Sequence, residues 1–544
     1  MTDRGLELGV FAALLAVLLL LGFYAARWRR PHTPQSLEEW GVGGRAFGNW
    51  VTWFLLGGSM YTAYTYIAVP ALVYGVGAVG FFAVPFAIIT APMAYVISTR
   101  TWSVSHAHGF VTSAEFTRAR FGSRSLAALV AVTGIIATLP YIAVQLIALQ
   151  ALLKTLGVDG EWPLLLAVGT ASLCTFRAGL RAPALLSIAK DALLLWLLLS
   201  VALLVAMSGG WTAAFRGAGV RLDGDASPAT GLLLPQGGSL GYLTLVFGSA
   251  LAVFAYPHAL TGILAARDRA TVQRNTAALP VYCLALGLLA LLGFFAIGQG
   301  VRPVGGDLNT VMPQLFHEAF PAWCAGIAYA AVAVAALIPA AVMSIAAANL
   351  FTRGVYREYL RPHATAAEEA AVSRWVSLLA KVGALAFIVL LDPRFSVELQ
   401  LIGGVIVLQT VPAVVLGLWT GWFHRYALIS GLLTGLGTGV LLLWRVPQRA
   451  ADGSVVKAHF GGSNLPLSEL GLGGGGAVYV GLLALAVNLV VVVGATVLLR
   501  GLRVPGGVDL TRPADYYADA GDGAAGRAEE LIDGRSARSP AHAR

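Results

Sequence analysis

Along most of the chain, stretches of about 20 apolar residues alternate with short polar connections, the spacing of helices that cross a bilayer. Thirteen segments can be marked, at roughly 8–26, 48–74, 78–98, 125–153, 162–178, 183–207, 240–265, 277–299, 322–350, 376–392, 397–422, 426–445 and 477–499. They are named by ordinal below. The second is the least regular. Between Trp53 and Gly77 it carries Gly57-Gly58 near one end, Pro70 towards the other, and Ser59, Tyr61, Thr62, Tyr64 and Thr65 between them. In hydrocarbon an unpaired backbone group costs several kcal/mol, so irregular backbone survives there only where it lines a cavity. Interrupted helices of this kind hold solute and ion near the midplane of secondary transporters, so a transport site is expected here.

The seventh segment echoes the second, being interrupted by Gly248, Pro257-His258 and Gly262. An offset of five segments reverses the direction of crossing. It predicts two inverted repeats, about 48–207 and about 240–422, with the first, twelfth and thirteenth segments peripheral. Arginine clusters at 27–30, 118–124, 267–274, 353–361 and 500–512 all fall on one side if the N-terminus lies outside. Positive charge gathers on the inner side, so the N-terminus is expected outside and the C-terminus inside. The transporter domain would then span 1–503. The connections 208–241 and 446–477 are expected to be irregular external loops, and the polar, Gly- and Ala-rich stretch 504–544 a disordered cytoplasmic tail.

Composition agrees. The chain is 58% hydrophobic and 12% charged, with mean hydropathy +0.76, whereas soluble domains carry roughly 25% charged residues. The net charge of +9 follows from the inner arginines and does not indicate nucleic acid. Cys174, Cys283 and Cys324 lie unpaired in or beside apolar segments, which suggests neither disulfides nor a zinc site. No phosphate-binding loop, paired carboxylates or serine–histidine–acid set appears, so neither an ATP-driven pump nor an enzyme is expected, and no cofactor.

Several stretches resemble the sodium:solute symporter family: the second segment, Tyr256-Pro257-His258 with Ala265-Ala266-Arg267-Asp268, the ninth-segment run ALIPAAVMSIAAANLFTRGVYREY, and Leu408-Gln409-Thr410-Val411-Pro412. Through GGSMYTAYTYIAVPAL and PAAVMSIAAANLFTR the likeness extends to the monocarboxylate permease branch. The resemblance implies an all-α polytopic membrane protein with thirteen transmembrane helices and a leucine-transporter-like 5+5 inverted repeat. It also implies a sodium ion held between the second and ninth segments, with Gly57 and Met60 offering carbonyls and Ala341 and Ser344 contributing opposite. Two departures remove oxygen ligands. Ile345 stands where the family has a second hydroxyl, and Ser59 where it often has an acid or amide. The coupled ion is thus Na+ or H+.

Ser59, Tyr61, Thr62, Tyr64 and Thr65 are expected to face the central cavity, where hydroxyls and freed backbone N–H groups suit a small carboxylate. Tyr141 and Gln145 share a face of the fourth segment, four residues apart, and either touch substrate or bond between helices. His258 either relays protons or fixes the seventh-segment break. Lys190 and Asp191 open the sixth segment near the expected inner edge, where a lysine can snorkel and Asp191 can serve ion release or gating. Lys381 is expected to snorkel or to bond between segments. The expected activity is import of a small organic anion, a short-chain monocarboxylate such as pyruvate, lactate, acetate or propionate, by a plasma-membrane symporter. Its partners would be the anion, a monovalent cation and the bilayer. Another solute (amino acid, sugar, urea or vitamin) or a membrane sensor is the alternative.

Overall fold

A computed structural model describes residues 3–28, 36–158, 160, 162–224, 231–391, 396–449, 455–471 and 476–520, without the side chains of residues 3, 59, 60, 223, 224, 388–391 and 449. Every hydrophobic segment falls on helix. Ten helices among the described residues are long and apolar enough to cross a membrane, or eleven with one bent pair. The ninth segment, Ala322–Phe351, is the centre. Its most apolar window is wholly buried, against 22% for the first helix and 28% for the thirteenth, Val480–Gly501, which lie at the edge. An alanine-rich surface lets neighbouring backbones approach this central helix closely.

Both interrupted segments are broken, though not where Gly and Pro alone point. The second runs as Asn49–Met60, stops at Tyr61 (φ −96°, ψ 88°), and resumes through a π-helical turn, Tyr64–Ala68, into Val69–Val76. Gly57-Gly58 stays helical. Pro70 follows the π-helical turn directly, at the second residue of Val69–Val76. The seventh runs as Ser239–Ala255 and Pro257–Leu264, bent by 52° at extended Tyr256, and Pro257 starts the new helix. The two broken segments are tied together at one end: Phe47 N–H donates to the Ala265 carbonyl, and Arg267 N–H to the Phe47 carbonyl, each at 3.0 Å.

Three connections are more ordered than expected. In the 208–241 stretch, Gly210–Gly224 is a helix whose Ala218 and Leu222 pack on Phe294 and Ile297, so a repeat of four buries one face. In 446–477, short antiparallel pairs join Gln448–Arg449 to Val455–Lys457 and Asn464–Pro466 to Ala477–Tyr479. The expected disordered tail is docked as far as residue 520, while 521–544 lie outside the described residues. Leu510 N–H donates to the Ala119 carbonyl at 2.9 Å, His108 meets Asp515 at 2.8 Å, and the Arg100 guanidinium lies 4.5 Å from the Tyr516 ring. Arg100 and Arg120 against Tyr516, and Arg269 against Tyr517, hold this segment by charge and stacking, which composition alone does not reveal.

Candidate functional site

Interrupting a buried helix frees backbone N–H groups that must find partners. At Tyr61–Ala63 side chains supply them. Thr62 Oγ1 accepts from Tyr64 N–H at 3.0 Å, and Gln145 Oε1, from the fourth-segment helix Arg124–Thr155, accepts from Ala63 N–H at 3.0 Å. Gln145 therefore holds the break open from the neighbouring helix, the interhelical role among those expected of it. Thr62 and Thr65 are fully buried.

Around this break lies a cage of rings. The Tyr141 ring is 5.3 Å from His258 and 5.4 Å from Tyr256, and Tyr256 is 5.2 Å from His258. Tyr256 is anchored through its hydroxyl to the Gln400 carbonyl at 2.9 Å. Tyr64 joins the same buried cluster as Tyr141 and Tyr256. Two polar atoms, the Tyr64 hydroxyl in that cluster and His258 Nδ1 in the cage, are buried with no hydrogen-bond partner among the described residues. Of the expected substrate-binding residues, Thr62, Tyr64, Tyr141, Gln145 and His258 are thus brought together. Thr65 lies on the turn beside them, and the side chain of Ser59 is outside the described ones.

Tyr61 turns away from the cage towards a second cluster. Its hydroxyl donates to the Tyr282 carbonyl, and its ring lies 4.8 Å from that of Tyr282. Tyr282 donates to Asp191 at 2.6 Å and packs on Trp53 at 4.5 Å. Lys190 does not snorkel. It is fully buried, lies 3.0 Å from Asp191, and donates to the Tyr61 carbonyl at 3.2 Å. Snorkelling fails because the sixth-segment helix Arg181–Met207 turns this side chain inward against Asn49–Met60. Gly57 and Gly58 make the approach possible. A Cβ on Gly57 would run into the Tyr282 ring, and one on Gly58 would lie 3.0 Å from Ser187 Oγ and 3.6 Å from Lys190 Nζ.

The four expected ion ligands are otherwise engaged where their contacts are described. The Gly57 carbonyl accepts from Tyr61 N–H at 2.9 Å. Ser344 Oγ donates to the Ala341 carbonyl at 2.8 Å and accepts from Ser377 Oγ at 3.0 Å. Lys381, buried on the tenth-segment helix Ala366–Leu391, reaches that same Ser377 at 3.4 and 3.5 Å. Ile345 is fully buried in a cluster with Val51 and Leu55, so the second and ninth segments meet there through hydrocarbon. Met60 contributes backbone at the last turn before the break. Sequence reading missed Tyr282, Tyr256 and Ser377. The available signals were a tyrosine following Pro280 in an aliphatic segment and a serine four residues before Lys381.

A family model described as the sodium:solute symporter family matches residues 40–435. A "Monocarboxylate transport permease protein" of Rhizobium johnstonii is 44% identical over 498 residues, covering 91% of this chain and 97% of that protein. An "Uncharacterized symporter YodF" of Bacillus subtilis is 32% identical, covering 78% and 86%. Among solved structures, a Na+-coupled sialic acid symporter in a substrate-bound outward-open state superposes with TM-score 0.69 at 14% identity, over 92% of this chain and 98% of that one. That likeness is one of fold.

Proposed function

Because the chain belongs to the sodium:solute symporter family, we propose that this multi-pass membrane protein imports a short-chain monocarboxylate together with a monovalent cation. The thirteen segments cross the membrane with the N-terminus outside, in two inverted repeats of five. The broken second and seventh segments form the midplane site, and rocking of one repeat against the other gives alternating access.

One observation carries the substrate class. The Tyr64 hydroxyl, buried on the turn after the break, and His258 Nδ1, on the ring cage, have no hydrogen-bond partner among the described residues. A carboxylate offers two acceptor oxygens, and its short alkyl end suits the faces of Tyr141 and Tyr256. The cage holds no arginine or lysine in the described contacts, so hydrogen bonds and backbone dipoles would bind the anion rather than a fixed cation. The name of the Rhizobium relative agrees with this reading.

The test is uptake of labelled pyruvate into proteoliposomes, with lactate, acetate, propionate, an amino acid, a sugar and urea as competitors. Competition by the monocarboxylates alone is expected. Competition by the amino acid, sugar or urea instead would show that the cage serves another solute.

A further inference from the structure

Residues 505–520 form a strap across the end of the molecule where Phe47 ties the broken second segment to Ala265 and Arg267, which follow the broken seventh. The first part of the strap is pressed onto the helix Ser113–Phe121 and the turn after it. Leu510 N–H donates to the Ala119 carbonyl, and Arg120 reaches Asp509 at 2.6 Å and Thr511 Oγ1 at 2.9 Å. A Cβ on Gly507 would overlap the Phe121 carbonyl, and one on Gly122 would lie 2.6 Å from Val508 N, so the two backbones meet with no room for a side chain. Asp515 and Tyr516 follow, buried against His108 and Arg100 of the third-segment helix Ala83–His108. The tip of the strap has a different seat. Arg269 N–H, at the start of the helix Arg269–Ala278, donates to Asp519 Oδ1 at 3.1 Å, and Arg269 Nη1 donates to the Tyr517 carbonyl at 3.2 Å. Tyr517 is 62% exposed, against 2% for Tyr516. The strap thus has a buried anchor and a wet tip.

We propose that residues 517–520 are a latch on the inner closure: they dock on the start of Arg269–Ala278 and let go each time the inner side opens. The assignment rests on the transport reading above, which makes this the inner side, and it adds a contact that must break in each cycle. Arg269 stands two residues from Arg267, whose N–H bonds Phe47, so the latch and the tie between the two broken segments share one short connection. A swing of that connection away from Phe47 carries Arg269 off a strap that stays on Ser113–Phe121. Burial selects the tip as the part that yields. The anchor is bonded along its backbone and packed without gaps, whereas the Tyr517 carbonyl contact is exposed and the Asp519 contact half-buried. Hydrogen bonds open to water exchange for water at small net cost. Closure held this way is strong enough to form and weak enough to cycle, so the tip tunes how often the inner side opens.

Two measurements on the full-length protein test this. The first needs no substrate. Spin labels on Arg274→Cys and Ala520→Cys, both at exposed positions, should give two separations by pulsed electron resonance in liposomes, one docked and one released. Adding Asp519→Ala should raise the released population by about two- to tenfold, the range of one net hydrogen bond. A single docked separation, or populations that Asp519→Ala leaves alone, would overturn the proposal. The second measurement joins the tip to its seat. Cys174, Cys283 and Cys324 are buried, so the pair Arg269→Cys with Asp519→Cys can be oxidised selectively. Uptake of labelled pyruvate into proteoliposomes should be lost in the linked protein and return on reduction. The pair Leu510→Cys with Ala119→Cys, linked at the anchor, should leave uptake unchanged. Uptake that survives the tip link, or that the anchor link stops equally, would defeat the latch. Should the wild type move no pyruvate, the anion reading fails, and the spin-label populations still decide whether the tip lets go.

Discussion

Replacing Tyr64 by Phe separates a binding hydroxyl from a structural one. The hydroxyl is buried and has no partner among the described residues. An unmet buried polar group costs about 1–3 kcal/mol, so its removal should leave the substrate-free protein as stable as before, or more so by up to that amount. With a carboxylate bound, the same hydroxyl would donate to a charged acceptor, worth about 1.5–3 kcal/mol. Its loss should weaken pyruvate binding by about 10- to 150-fold. Calorimetric titration of pyruvate onto purified protein gives the affinity directly, and thermal unfolding in detergent without substrate gives the stability. The opposite signs are the diagnostic, because a hydroxyl serving only the fold would lower stability and leave affinity alone. An unchanged affinity, or a clear fall in melting temperature without substrate, would refute the assignment of Tyr64 to the anion.

Gln145→Leu should behave the other way. It removes the acceptor for Ala63 N–H and should cost about 1–3 kcal/mol in the substrate-free protein, seen as a lower melting temperature, while Gln145→Glu keeps an acceptor and should cost less. Gly57→Ala places a methyl against the Tyr282 ring and should cost about 1–3 kcal/mol, with initial uptake rates falling as the Asp191–Tyr282 contact shifts. Normal uptake and melting in that variant would contradict the close approach of the second and eighth segments. Truncation after Val504 removes the segment held by Arg100, Arg120 and His108, and should speed limited proteolysis around Ser113–Phe121. An unchanged cleavage pattern would argue that the segment is not docked in solution.

Much of this architecture was legible because the bilayer imposes a length on apolar segments, and all thirteen fall on helix. The break in the second segment was legible as a region, since Thr62, Tyr64 and Thr65 are too polar for lipid. Its position was not. Glycine and proline marked residues 57–58 and 70, whereas the helix stops at Tyr61, where Thr62 and Gln145 satisfy the freed N–H groups. Gln145 lies 82 residues from the backbone it caps, a partnership that no local pattern encodes. The spacing of Tyr141 and Gln145 did signal a shared face. The helix Gly210–Gly224 and the docked segment 505–520 were obscured by glycine and charge, which describe composition and not the partner surface.

The glycines, the lysine and the break form one device. Gly57 and Gly58 read as helix breakers, yet both are helical and each leaves room for a side chain from another segment. Gly57 admits Tyr282, which holds Asp191; Asp191 holds Lys190; and Lys190, passing beside Gly58, reaches the Tyr61 carbonyl at which the helix stops.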